Sequence, residues 1–278
     1  MKFNESDMTA VTREGLIEIQ VEIWGSLLEF CNKLTPTDWK KQTNCPTWTV
    51  KDCLSHLVGI ESRLLGYSVP KIEINESDHV NNSQGLTNEI DVVSRRSNSP
   101  EDIVNEFMSV TAMRTAYLKA EDDFSVEAES PVGIGSLSDQ VSVRIFDCWV
   151  HLQDMRMAIN VPCDFVSKAA DLSFGRMFSV MPFVVGKKVG ATDGTTVVFE
   201  VYGDEDSVKK FIDVSDSRAS FVADSSDYNA SILCPKDIFF MLTCGRIDPV
   251  KAVKNGLVKL KGDTSLGEKV VSKMNFMI

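Results

Sequence analysis

The sequence predicts an α plus α+β chain, with a four-helix bundle over residues 1–163 and a smaller α+β domain over 164–278, and three observations carry that expectation. Apolar residues recur at helical spacing through the first part and give way to short β-branched runs in the second. At 278 residues the chain exceeds one average domain and can bury a sizeable core. The charge divides at the same place. Residues 1–163 carry 14 Lys+Arg against 25 Asp+Glu and residues 164–278 carry 15 against 15, so the whole net charge of −11 lies before a boundary near Pro162.

The first helix is expected over about 11–33, where Leu16, Ile19, Ile23, Leu27 and Phe30 share one face. A second starts after CPTWT, with Thr49 and Asp52 spaced as a capping box, and runs to about Gly66. Residues 67–100 are polar and broken by Pro70, Asn81, Asn82 and Gly85, which predicts a long connection with one short helix near 86–96. A third bundle helix follows Ser99-Pro100, with Glu101 and Asp102 in its first turn, and reaches Ala120. The acidic run EDDFSVEAES and the turn PVGIG then lead to a fourth over about 137–160. Four helices with one long connection make a bundle.

In the second part, TTVVFEVYG (195–203), VKKFIDV (208–214), RASFVA (218–223) and NASILC (229–234) read as strands of an antiparallel sheet. Helices are expected at 165–186, 235–244 and 264–276, with GLVKLKGD (256–263) a strand or loop.

Composition excludes several functions. Hydrophobic residues at 43% and charged residues at 25% describe a globular protein, and no apolar run approaches a membrane span, so no membrane partner is expected. The start MKFNESDMTAVTREG has no apolar signal segment, which predicts a cytoplasmic protein. An acidic chain without a basic stripe is not expected to bind nucleic acid. Seven cysteines form no CxxC pair and read as small core residues of a reducing compartment. GIG (133–135) lacks a following Lys and reads as a turn, not a phosphate loop, and no GxSxG nucleophile motif is present.

The chemistry concentrates in FDCWVHLQD (146–154). At 100° per residue, Arg144, Asp147, His151 and Asp154 fall in one stripe of the fourth helix, spanning about 80°. The rest of that helix is apolar apart from Gln153 and Arg156, which read as an outward pair. A helix apolar nearly all round is buried, so its charged stripe must be satisfied inside the protein. Two readings are open: a structural stripe pairing Arg144 with Asp147 and His151 with Asp154, or a metal or catalytic site. His56 faces the bundle core from the second helix beside Cys53, Ile60 and Leu64, with Ser55 and Ser62 pointing away. His56, Asp147 and His151 together offer two imidazoles and one carboxylate, the ligand count of a catalytic zinc centre that also suits Fe(II) or Ni(II). His79, in the polar run ESDHVNNS, reads as solvated. Asp52 reads as a helix cap, and Glu61 as a buried hydrogen-bonding group outside the ligand set.

CPTWTVKDCLSHLVGIE (45–61) together with VRIFDCWVHLQDMRMAI (143–159) resembles the metal-binding domain of the mycothiol-dependent maleylpyruvate isomerase family, one of the DinB-like four-helix bundles. FFMLTCGRIDPVKAVKNGLVKLKGDTSLGEKVV (239–271) is similar to that family's sterol-carrier-like C-terminal domain. The resemblance implies metal ligands at His56, Asp147 and His151, although the isomerase carries glutamate at the position of Asp147. It also implies a catalytic arginine in the C-terminal domain, matched here by Arg246. The expected cofactors are a divalent metal, zinc first, and a low-molecular-weight thiol, mycothiol by resemblance. The metal-held thiolate would add to a conjugated double bond for cis–trans isomerisation, or pass to a small electrophile by S-transfer. The expected partners are that thiol and the electrophilic substrate, with the chain a monomer or weak homo-oligomer. A non-enzymatic binding protein, holding a metal and an apolar ligand, is the alternative.

Overall fold

The structure is a computed structural model that describes residues 11–74, 80, 82–130, 133–204, 206–225 and 227–277; His79 lies outside the described residues. The chain divides into two compact units, one ending at Ser173 and the other spanning Phe174–Met277.

In the first unit α1 (Arg13–Cys31) starts at Thr12, whose side chain accepts from the Gly15 amide. A 3-10 turn (Asp38–Lys40) precedes α2 (Val50–Leu64), which opens on the capping box of Thr49 and Asp52. The short helix of the long connection is α3 (Ser83–Val93), three residues earlier at each end than the sequence suggests, because the Asn82 side chain caps it. Capping boxes also open α4 (Pro100–Ala120), from Ser99 and Asp102, and α5 (Leu137–Ala158), from Ser136 and Asp139. Each box satisfies amides that a helix start would otherwise leave unbonded.

Helices α1, α2, α4 and α5 form the bundle: α2 packs on α4 and α5, and α1 on α5 and α4. Leu27, Leu54, Leu57, Ile103 and Phe107 on these helices are buried. Helix α3 covers the remaining side of α2. Ser55 and Ser62, expected to face solvent, are therefore buried, and each hydroxyl donates to the carbonyl four residues back. Gln153, expected to point outward, is buried as well. It accepts from the Asp164 amide at 2.8 Å, because the segment after α5 folds back over it.

The stretch read as an acidic run and a turn is a hairpin, with β1 (Glu127–Ser130) antiparallel to β2 (Gly133–Ser136), so GIG belongs to a strand. The helix expected over 165–186 is broken. α6 (Lys168–Ser179) ends before a short α7 (Met181–Phe183) and a π-helical turn (Val184–Lys188), and Pro182, which has no amide hydrogen, sits at the break.

The second unit holds β3 (Thr196–Tyr202), β4 (Ser207–Ser215), β5 (Arg218–Val222), β6 (Ala230–Pro235), α8 (Lys236–Thr243), α9 (Pro249–Lys254), β7 (Lys259–Gly262) and α10 (Thr264–Lys273). Its sheet runs β5-β4-β3-β6-β7. It is mixed, not purely antiparallel, because β6 returns to the free side of β3 and pairs with it in parallel, Val197 opposite Ala230. Strand periodicity reports which residues are extended and not which way a neighbour runs. The helices α8 and α10 pack on the sheet, and Phe239 stacks on Phe178 at 4.6 Å and meets the edge of Phe199 at 6.4 Å. Among the described residues no helix is long and apolar enough to cross a membrane.

Candidate metal centre

Helices α2 and α5 bring His56, Asp147 and His151 together, with one donor atom from each lying within 4.8 Å of the others. His56 Nε2 is 3.3 Å from Asp147 Oδ2, His151 Nε2 is 3.6 Å from Asp147 Oδ1, and the two imidazole centroids are 4.8 Å apart. Four ligands placed tetrahedrally around an ion at about 2.0–2.1 Å stand about 3.3–3.4 Å from one another, and the two imidazole-to-carboxylate distances are close to that spacing. The His56 Nδ1 is buried without a hydrogen-bond partner. Both histidines are buried, whereas Asp147 keeps 16% of its side chain exposed, which leaves one edge of the set in reach of a ligand.

Two of the donors, Asp147 and His151, are held from behind. Arg144 donates from Nη1 to Asp147 Oδ2 at 2.6 Å and from Nε to Glu61 Oε1 at 2.9 Å. Glu61, fully buried, accepts on its other oxygen from Arg114 Nε at 3.2 Å, and Arg114 also donates to Gln140. His151 Nδ1 lies 3.2 Å from Asp154 Oδ2, which also accepts from the Cys45 thiol at 3.2 Å. A carboxylate at the rear nitrogen fixes the ring and raises the basicity of the front one. Both pairs of the structural reading, Arg144–Asp147 and His151–Asp154, thus coexist with the convergence of three donors.

Trp48 covers the two rings, at 5.0 Å from His56 and 5.9 Å from His151, while its indole donates to Glu89 at 2.7 Å. The chain reaches it through Thr47 at φ 64°, a left-handed conformation that costs a β-branched residue on the order of 1–3 kcal/mol.

Burial pushes the His56 imidazole down to about 4, more than the charge of Asp147 can lift it. Burial also opposes charge on His151, but its hydrogen bonds to Asp154 and Cys45 and the charge of Asp147 outweigh that and raise it to about 10. Desolvation of the partly exposed Asp147 would raise its carboxyl, yet Arg144, His56 and His151 hold it well below the ordinary range. The set therefore pairs a neutral imidazole and a carboxylate with a second imidazole that must give up a proton to solvent before it can bind a metal.

Arg246 lies in the second unit, after α8. Its amide donates to the Met241 carbonyl at 2.7 Å and the Gly245 amide to Leu242, a helix-ending motif that needs Gly245 at φ 68°. The half-buried guanidinium donates to the Cys244 carbonyl at 2.9 Å. Sequence reasoning passed over Arg114 and read Cys45 and Cys53 as core residues only, which they are by burial. The only signal for the cysteines was their position beside the CPTWT turn and His56.

Residues 21–156 match the family described as the mycothiol maleylpyruvate isomerase N-terminal domain, and residues 184–274 match the SCP-2 sterol transfer family. Among solved structures the chain is similar to the mycothiol-dependent maleylpyruvate isomerase at 12% identity and a TM-score of 0.54, over 86% of this chain and 93% of that one. It is similar to a histidine-to-alanine mutant of that isomerase at 11% identity and a TM-score of 0.55, over 91% and 96%. At such identity the likeness is one of fold. No curated protein matches the sequence.

Proposed function

Because residues 21–156 belong to the mycothiol maleylpyruvate isomerase N-terminal domain family and residues 184–274 to the SCP-2 sterol transfer family, we propose that the chain is a thiol-dependent enzyme using a divalent metal. It would act on small unsaturated or electrophilic acids, by cis–trans isomerisation or by S-transfer. The observation that carries this reading is the convergence of His56, Asp147 and His151 within 4.8 Å inside a bundle core that is otherwise mostly apolar.

A divalent ion held there, with zinc the first expectation, supplies a low-molecular-weight thiol as the thiolate at neutral pH. The protein's own groups prepare for it. Burial keeps His56 neutral, so it offers a lone pair without first losing a proton. Asp147 stays ionised against Arg144. Asp154 accepts the His151 Nδ1 proton and aims Nε2 at the centre. Arg246 is the proposed partner of a substrate carboxylate, through a planar guanidinium that can make two parallel hydrogen bonds.

The test is metal analysis of untagged protein, followed by maleylpyruvate isomerisation and conjugation of model electrophiles with mycothiol, bacillithiol and glutathione in turn. About one divalent ion per chain and turnover with one of these thiols is the expected result. A chain that binds no divalent ion, or is inert with every thiol, is a binding protein instead.

Two substitutions refine the reading. Asp147→Glu should keep about one ion per chain, because the extra methylene leaves the carboxylate within reach of the set. Loss of the ion in this variant would show that the shorter arm is required. Arg246→Lys should keep the metal while kcat/KM falls roughly 10–100-fold, the worth of one charged hydrogen bond. Unchanged activity on every electrophile would leave Arg246 as a helix-ending residue only.

A further inference from the structure

Behind the first donor set lies a second one, which shares His151 with it and adds two cysteines that the proposed chemistry does not use. Cys45, Cys53 and His151 each place a donor atom within 4.8 Å of the others, and all three are buried. Cys53 stands in the first turn of α2, and the loop before that helix doubles back to set Cys45 beside it. Thr43 is the pin of that loop: its amide donates to the Trp48 carbonyl at 3.0 Å, its hydroxyl accepts from the Cys45 amide at 3.2 Å, and the Cys53 thiol lies 3.7 Å from the same hydroxyl. Cys45 Sγ is 3.9 Å from His151 Nδ1, the opposite nitrogen from the one that faces Asp147. The carboxylate of Asp154 is 3.2 Å from both that nitrogen and Cys45 Sγ.

We propose that Cys45, Cys53 and His151 Nδ1 form a second, thiol-rich metal site for a thiophilic ion such as Zn2+ or Cd2+, sharing one imidazole with the His56, Asp147 and His151 set. Two sulfurs and an imidazole suit borderline and soft ions, whereas the first set, with one carboxylate and no sulfur, suits harder ones as well. Metal–sulfur and metal–nitrogen bonds of about 2.3 and 2.0 Å put sulfur and nitrogen ligands about 3.5 Å apart, so the 3.9 Å separation closes with a small shift. When the ion enters, each thiol gives up its proton and becomes a thiolate ligand, and His151 gives up the proton on Nδ1; Asp154 is the nearest acceptor on their way to solvent. No electron changes hands. A neutral imidazole has one lone pair, so His151 cannot serve ions on both nitrogens unless it loses its second proton. The two sets therefore compete for one ring.

The experiment is titration of metal-stripped, fully reduced Cys163→Ser protein with Cd2+, reading the near-ultraviolet thiolate-to-cadmium absorption. Cys163 is removed because it is the only cysteine among the described residues that is not buried. A saturating band is expected at one ion per chain, lowered by about half or more in C45S and in C53S and abolished in the double variant, since only thiolates give it. His56→Ala, which disables the first set alone, should retain the band even if the catalytic reading fails. Circular dichroism on each variant confirms that the bundle is folded. Absence of the band in the Cys163→Ser protein, or its persistence in the folded C45S/C53S double variant, overturns the proposal.

Discussion

On the proposed function, His151→Ala should lose the metal and at least about 10³-fold in turnover, the several kcal/mol that a bound ion contributes to charge stabilisation. Three protein ligands leave no redundancy, and His151 also carries the hydrogen bond to Asp154 that aims it. Equilibrium dialysis against a metal indicator, with circular dichroism to confirm the fold, makes the measurement. Asp154→Asn keeps the front nitrogen and removes only the charge behind the ring, so its metal affinity should fall by an intermediate amount, about 10–100-fold. If folded His151→Ala holds one ion as tightly as the parent protein, the ligand set is wrong.

Glu61→Ala should be among the most destabilising single changes in the bundle. Glu61 is fully buried and accepts from both Arg114 and Arg144, each 2% exposed, so its loss strands two guanidinium groups among apolar side chains. Removing one partner of a buried charge group costs about 3–5 kcal/mol, a fall in the midpoint of the helical unit's thermal unfolding of roughly 6–20 °C. Arg144 would then answer to Asp147 alone, and metal affinity should drop about 10–100-fold. A midpoint within a degree or two of the parent would mean that the two arginines find water or other acceptors, and that Glu61 does not anchor the set.

The helices and their starts were legible because they depend on local rules. Thr49 with Asp52 and Ser99 with Asp102 carry their capping partners three residues away, whatever the rest of the chain does. The Arg144–Asp147 and His151–Asp154 pairs were legible for the same reason, since residues three apart share a helix face. Glu61 was expected to be buried and hydrogen-bonded, but its partners come from α4 and α5, and nothing within four residues of Arg114 announces a buried cation. Cys45 was read as a small core residue; its place behind His151 depends on a loop that returns through Thr43 and a left-handed Thr47, a path held by hydrogen bonds within the loop that no apolar periodicity reports. The β1–β2 hairpin was hidden by its acidic, glycine-containing composition, and the parallel β3–β6 pairing by its dependence on how the chain crosses back.

Trp48 leans on both imidazoles and is tethered to Glu89 by its indole nitrogen, so this one ring senses whatever happens between them. An excited indole loses its energy to a protonated imidazole in contact with it, and its emission colour follows the local field. Protonation or metal binding at the centre should therefore change the Trp48 share of the fluorescence of the protein's four tryptophans. The ring that covers the histidines would then also be an optical gauge of their state.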